Sequence, residues 1–317
     1  MTRLRPPLSV TAHPGRRTLV ALLTTLTVLL LAAPGCSRPI EPDGARLMAR
    51  VKHQLDAGPR IPGTPGHAAI GEWIAAEITR LGGRLERQTF VDSTLGRPLP
   101  ILNLIGHFGP AGGKRLVLAA HWDSREFADR DPDPARRGEP VPGANDGGSG
   151  VAVLLEVAEM MRKTPPAIAV DLVFFDGEDQ GAGDSESYCL GARGYAARVR
   201  REEILAAFIF DMVGDCDLGI HPEVFSSQRA SNLAALVVEG ARATGARSFH
   251  AEPMFEVYDD HRPLLEAGIP AVDIIDFEYD AWHTTSDDLN HVSAASLTEV
   301  TRVAAWLVYR SPLVVRR

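Results

Sequence analysis

Short apolar runs of strand type alternate with helical segments along most of this 317-residue chain, and no other feature constrains its fold as strongly. Residues 114–120, "KRLVLAA", and 167–175, "AIAVDLVFF", are the short, strongly apolar runs expected of strands covered on both faces. Between them residues 148–163, "GSGVAVLLEVAEMMRK", are apolar nearly all round except for Glu156 and Glu159, as a well-covered helix should be. Upstream, residues 40–58 and 67–83 carry apolar residues at helical spacing and end in glycine. The runs 83–91 and 102–108 then read as strands. Downstream the spacing predicts a helix near 192–199, a strand over 206–213, a helix over 231–244 and a strand over 249–255. A helix from Pro263, a strand over 271–275 and a closing helix over 294–309 complete the series. Such alternation predicts an α/β chain, a single three-layer αβα domain whose mixed, mostly parallel sheet carries helices on both faces. One polar segment, residues 125–141, "REFADRDPDPARRGEPV", interrupts it; a structureless stretch of that length in a compact domain is more often functional or mobile than idle.

Residues 1–35 read as a secretion signal and not as fold. Arg3, Arg5, Arg16 and Arg17 give a basic start, and the apolar stretch that follows is short for a membrane span and ends at the small residues of "APGC". Cys36 is then the expected lipid attachment point, which would make residues 36–317 an exported catalytic domain anchored at the periplasmic face or cell exterior. Membrane contact is expected only through that lipid. The whole chain carries a net charge of −8, and because residues 1–35 hold four arginines and no acid, the remainder is more acidic still. A chain of this charge is a poor match for the phosphate backbone of nucleic acid. Cys189 and Cys216 are the cysteines left after Cys36, too few for a disulfide scaffold.

The chemistry-bearing residues fall at the carboxyl ends of the predicted strands. His121 and Asp123 follow the strand at 114–120, and Asp146 in "GANDGGSG" precedes the buried helix. Glu178 and Asp179 follow the strand at 167–175, Asp211 closes "FIFD", and His283 in "AWHTT" follows the strand at 271–275. In open α/β sheets the crevice beyond the strand carboxyl ends is where ligands bind. Each residue alone has an ordinary reading: Asp146 as a helix cap, Glu178 and Asp179 as a solvated turn, His283 as a packed histidine. Together, imidazoles and carboxylates delivered to one crevice point to a zinc centre. The segment "VYDDHRPLLEAGIP" adds a puzzle, because capping the helix at Pro263 requires one acid and the sequence supplies Asp259 and Asp260.

The string "HWDS…GANDGGSGVAVLLEVA…FFDGED…FDMVGD…WHTTSDD" resembles the zinc aminopeptidases of peptidase family twenty-eight and their glutaminyl cyclase relatives, over most of the chain after residue 58. For a two-zinc peptidase the resemblance implies His121, Asp146, Asp179, Asp211 and His283 as ligands, Asp146 bridging and Glu178 as general base. Position 179 is commonly Glu in that family. "YDDHRPLL", "FFDGED" and Trp282 before His283 are more similar to the animal-type glutaminyl-peptide cyclotransferases. That branch implies one zinc on Asp146, Asp179 and His283, with Glu178, Asp211 and Asp259 as catalytic residues and Trp282 in the substrate pocket. Asp259 is then the extra acid, leaving Asp260 and His261 for capping and packing. The implied reaction converts the N-terminal Gln of a peptide to pyroglutamate and expels ammonia, on peptides with a free N-terminus. Phe277, Tyr279 and Trp282 stand where an apolar pocket wall is needed. The alternatives are a two-zinc aminopeptidase and, from another class, a non-catalytic lipid-anchored binding domain, whose expected mark is loss of ligands or of the general base.

Overall fold

The computed structural model describes residues 41–315, so the expected signal segment and Cys36 lie outside the described residues. Six strands form one sheet in the order β1-β2-β4-β3-β5-β6. Strands β1 (Arg84–Asp92) and β2 (Leu99–Phe108) are antiparallel to each other, and β2 is antiparallel to β4 (Ala169–Phe175). Strand β3 (Arg115–His121) runs parallel to β4 on one side and to β5 (Ile204–Asp211) on the other, and β6 (Ala271–Ile275) runs parallel to β5. The chain leaves β3, adds β4 on one flank and then crosses to add β5 on the other. That reversal opens a crevice at the carboxyl end of β3, where such sheets bind ligands.

Both sheet faces are covered, as continuous apolar strands require. One face packs on α1 (Gly44–Asp56), α2 (Pro65–Arg80), α3 (Gly148–Lys163), α6 (Ser231–Thr244) and α8 (Ala294–Tyr309), through Leu116, Leu118 and Ala120 of β3 and Phe208 and Phe210 of β5. The alternate residues Val117, Ala119, Ala207 and Ile209 face the shorter α4 (Leu190–Ala196) and α7 (His261–Glu266). Three layers therefore form as the alternation predicts. Short helices α5 (Val224–Arg229) and α9 (Pro312–Val315) complete the α-helices among the described residues.

One predicted strand is absent. Of residues 249–255 only Phe249 makes a bridge, to Ile220, and residues 250–254 are exposed. Pro253 has no amide to donate, and only the two end residues, Phe249 and Phe255, pack partly on the core, which leaves the middle of the run nothing to repay its ordering. The segment at 125–141 stays without helix or strand but is tied down by Ala128 N–H to Glu139 O (2.8 Å), Val141 N–H to Arg125 O (3.1 Å) and Arg130 N–H to His283 O (3.2 Å).

The first turn of α3 lies directly on the strand ends. A β-carbon at Gly150 would sit 2.2 Å from the Phe210 carbonyl oxygen and 2.7 Å from the Ala120 β-carbon, both rigid neighbours. Gly150→Ala is expected to cost about 1–3 kcal/mol by over-packing and to lower the unfolding temperature in a calorimetric scan. An unchanged transition would mean that this helix end is not seated as described.

Candidate active site

At the switch point the predicted ligands meet. His121 ends β3, and its Nε2 lies 3.0 Å from Asp211 Oδ1 at the end of β5 and 3.1 Å from Asp146 Oδ1. His283 Nε2 lies 3.2 Å from Asp179 Oδ1 and 3.8 Å from Asp146 Oδ2. The donor atoms of Asp146, Asp179 and His283 fall within 4.8 Å of one another, as do those of His121, Asp146 and Asp211, so Asp146 belongs to both groups. All five side chains are buried.

The donor set fits a divalent cation. Asp146 Oδ2 and Asp179 Oδ2 are buried without hydrogen-bond partners, an expensive state unless something positive sits beside them. Imidazole nitrogen and carboxylate oxygen are the ligand atoms zinc takes. Burial pulls the His121 imidazole down, but Asp211, Asp123 and Asp146 outweigh it and lift the ring well above the ordinary histidine range. At His283 burial is again outweighed, here by Asp179 and Asp129, which bring it up to about 9. The sign of the pH effect follows. Without metal the His283 ring is protonated at neutral pH, and only the neutral ring ligates. Zinc binding at pH 7.5 should thus expel about one proton at this group, and affinity should fall as pH drops. Calorimetric titration in buffers of different ionisation heat measures that proton; its absence would remove His283 from the ligand set.

Acidic residues outside the ligand set hold the turns in place. Asp123 accepts the amides of Glu178 (3.1 Å) and Asp179 (3.2 Å) and the Gln180 side-chain amide (2.9 Å). Asp287 accepts the amides of Asn145 (2.8 Å) and Asp146 (3.1 Å) and the Tyr279 hydroxyl (2.7 Å). From the long polar segment, Arg125 spans Asp129 and Asp179, and Asp129 Oδ1 lies 3.4 Å from His283 Nδ1. Such outer contacts fix ring orientation and ligand basicity. Among the described residues the non-glycine positions with positive φ are Cys189 (56°), Met212 (46°) and His283 (56°), and each belongs to this site or adjoins it. Backbone strain of this kind concentrates where function over-determines geometry.

Glu178 is 8 % exposed, and its carboxylate shares a 4.8 Å neighbourhood with Cys189 and Asp259. The Cys189 thiol donates to Glu178 Oε1 at 3.5 Å. Burial first, then the neighbouring charges of Asp179, Asp259 and Asp260, push Glu178 well above the usual carboxylate range against the pull of His121. Burial and then Asp211 raise Asp259 to about 6.

One expectation needs correction. Asp260 caps nothing: it stands just before α7 with φ −52°, ψ −22°, a helical conformation and not the extended one a cap requires, and both carboxylate oxygens are buried without partners. Its N–H instead donates to Asp259 Oδ1 at 2.5 Å. Beside the site, Tyr279 donates its hydroxyl to Asp287, Phe277 packs on Trp282 (centroids 4.9 Å), and Trp282 lies 4.1 Å from the His283 ring. Arg130 covers the Trp282 ring at 4.3 Å. Cys189 is buried and Cys216 exposed, and both are free thiols. Arg125, Asp129, Asp287 and Cys189 carry no sequence signal for these roles beyond the place of Asp287 in "WHTTSDD".

The model of peptidase family M28 matches residues 103–308. The chain belongs to that family. Among curated relatives, the glutaminyl-peptide cyclotransferase-like protein of Bos taurus is 24 % identical over 78 % of this chain and 70 % of its own. A crystal structure of Bacteroides thetaiotaomicron glutaminyl cyclase bound to N-acetylhistamine is 31 % identical, with a TM-score of 0.82 over 85 % of this chain and 98 % of that one. A leucine aminopeptidase precursor from the same organism is 30 % identical, with a TM-score of 0.83 over 86 % and 98 %. The M28 assignment makes this chain an enzyme of a zinc-dependent family, with cyclase and peptidase relatives on one fold.

Proposed function

We propose that the chain is a zinc-dependent glutaminyl-peptide cyclotransferase acting on peptides with an N-terminal Gln. The observation that carries this reading is the placement of Glu178: a buried carboxyl beside ligand-type Asp179, backed by the second acid Asp259 and not opened to bulk water. Asp146, Asp179 and His283 would hold one zinc. When bound, the metal supplies Lewis-acid polarisation of the side-chain amide oxygen. The α-amine nitrogen of the substrate forms a bond to its own side-chain carbonyl carbon, and the bond from that carbon to the amide nitrogen breaks. Glu178 takes the proton that the attacking nitrogen loses and delivers it to the departing nitrogen, which leaves as ammonia. A carboxyl whose proton affinity is raised by burial suits both halves of that transfer. Asp259 and Asp211, two acids that cannot comfortably both ionise, steady the carried proton. Phe277 and Trp282 bound the pocket and exclude the water that hydrolysis would consume.

A second reading is supported by a specific feature: the group His121, Asp146 and Asp211 is complete, as a two-zinc aminopeptidase needs. Product analysis separates the two. With a peptide bearing N-terminal Gln, cyclisation yields ammonia and a peptide of unchanged length lighter by one ammonia. Release of free Gln would replace the proposal with hydrolysis. A non-catalytic role conflicts with the presence of Glu178 and of every ligand position. We further propose that residues 1–35 export the chain and that Cys36 carries a lipid, on the strength of the basic start, apolar stretch and "APGC".

A further inference from the structure

A second buried polar cluster lies behind the site, and the chemistry above leaves most of it unused. Its centre is His261 at the start of α7, fully buried. One ring nitrogen, Nε2, lies 3.2 Å from Glu223 Oε2, and the other, Nδ1, lies 3.5 Å from Asp273 Oδ2 on β6. Glu223 is a fixed point. Its carboxylate accepts the amides of Phe225 (2.7 Å), Ser226 (2.5 Å) and Val257 (3.2 Å). Burial raises it, but His261 and those amides outweigh burial and hold it at about 2. Phe225 closes the outer side, edge-on to His261 at 6.5 Å, and Arg262 covers Phe225 at 3.5 Å.

The inner side leads to the active site. Donor atoms of Asp259, His261 and Asp273 lie within 4.8 Å of one another, and Asp259 shares the same proximity with Glu178 and Cys189. A continuous run of neighbouring charged and polar groups therefore leads from Glu223 through His261 and Asp273 to Asp259 and Glu178. Both oxygens of Asp273, Oδ2 of Asp259 and both ring nitrogens of His261 are buried without a hydrogen bond, so beyond the Asp260 amide on Asp259 Oδ1 these groups have only one another's proximity to set their orientation. Adjacent buried carboxyls repel when both are charged, and the His261 ring, its two nitrogens turned to Glu223 and to Asp273, is the polar group packed against that pair.

We propose that His261 is a positioning residue for the reaction: seated on Glu223, it holds Asp273 against Asp259 and so fixes Asp259 beside Glu178. The inference rests on the cyclotransferase reading for its substrate, not for its geometry. The test uses the full-length zinc-loaded protein and its variants His261→Gln, Asp273→Asn and the double variant. On a Gln-peptide each single variant is expected to lose about 10–100-fold in kcat, the cost typical of outer supports, with KM within about twofold and zinc content unchanged. The double variant should lose no more than the worse single one, because both act on one contact path. Should His261→Gln fail to fold, the isosteric Asp273→Asn carries the same expectation. Unaltered kcat in a folded variant, a loss confined to KM, or additive losses would overturn the proposal. So would loss of a bound cation, because the cluster would then be a metal site. A wild type that releases free Gln overturns the cyclisation reading instead, and the kcat comparison is then read on hydrolysis.

Discussion

Glu178→Gln keeps its metal and loses turnover by about 10²–10⁴-fold, the usual weight of a positioned acid–base group. Metal is kept because neither group of ligand atoms includes Glu178 and because Asp123 grips the backbone amides of 178 and 179, which the substitution leaves in place. The fold is kept as well: burial already disfavours the charged carboxylate there, so a neutral amide of the same shape removes a strained charge and not a support. Steady-state kinetics and metal analysis on one preparation check both halves. Near-normal kcat in a zinc-loaded variant would take the proton transfer away from this residue.

The companion result concerns Asp146. Because it is common to both ligand groups, Asp146→Ala is expected to strip zinc whichever count the native enzyme holds. Losing the metal's charge stabilisation, worth several kcal/mol, lowers the rate by about 10³-fold or more. Folding should survive, since Asp287 holds this turn through the amides of Asn145 and Asp146 and not through the Asp146 side chain. Removing metal from the wild type with a chelator should reproduce the same loss, reversed by added zinc. Activity that persists in Asp146→Ala would show that catalysis does not run through this centre.

The sequence was informative wherever a residue closed an apolar run. His121, Asp211 and the Glu178–Asp179 pair were legible because a strand end aims its last polar residues into the crevice, and burial there demands a purpose. The layers were legible for the same reason: the unbroken runs of β3, β4 and β5 need cover on both faces. What escaped was set by contacts distant in the chain. Asp129 and Arg125 lie in a segment with no periodic pattern, and their roles depend on His283 and Asp179, far along the chain. Asp260 looked like a cap because it precedes a helix; only the backbone conformation and its burial show that it faces inward. The 249–255 run has strand-type residues, but residues 250–254 are exposed and only the two end phenylalanines pack, so burial overrules composition.

Anomalous diffraction at the zinc edge from crystals of the purified protein goes to the core of this account. A peak within about 2.0–2.2 Å of donor atoms of Asp146, Asp179 and His283, with Glu178 adjacent but uncoordinated, is the predicted result. A zinc-loaded, active enzyme with no peak among those three side chains would contradict it.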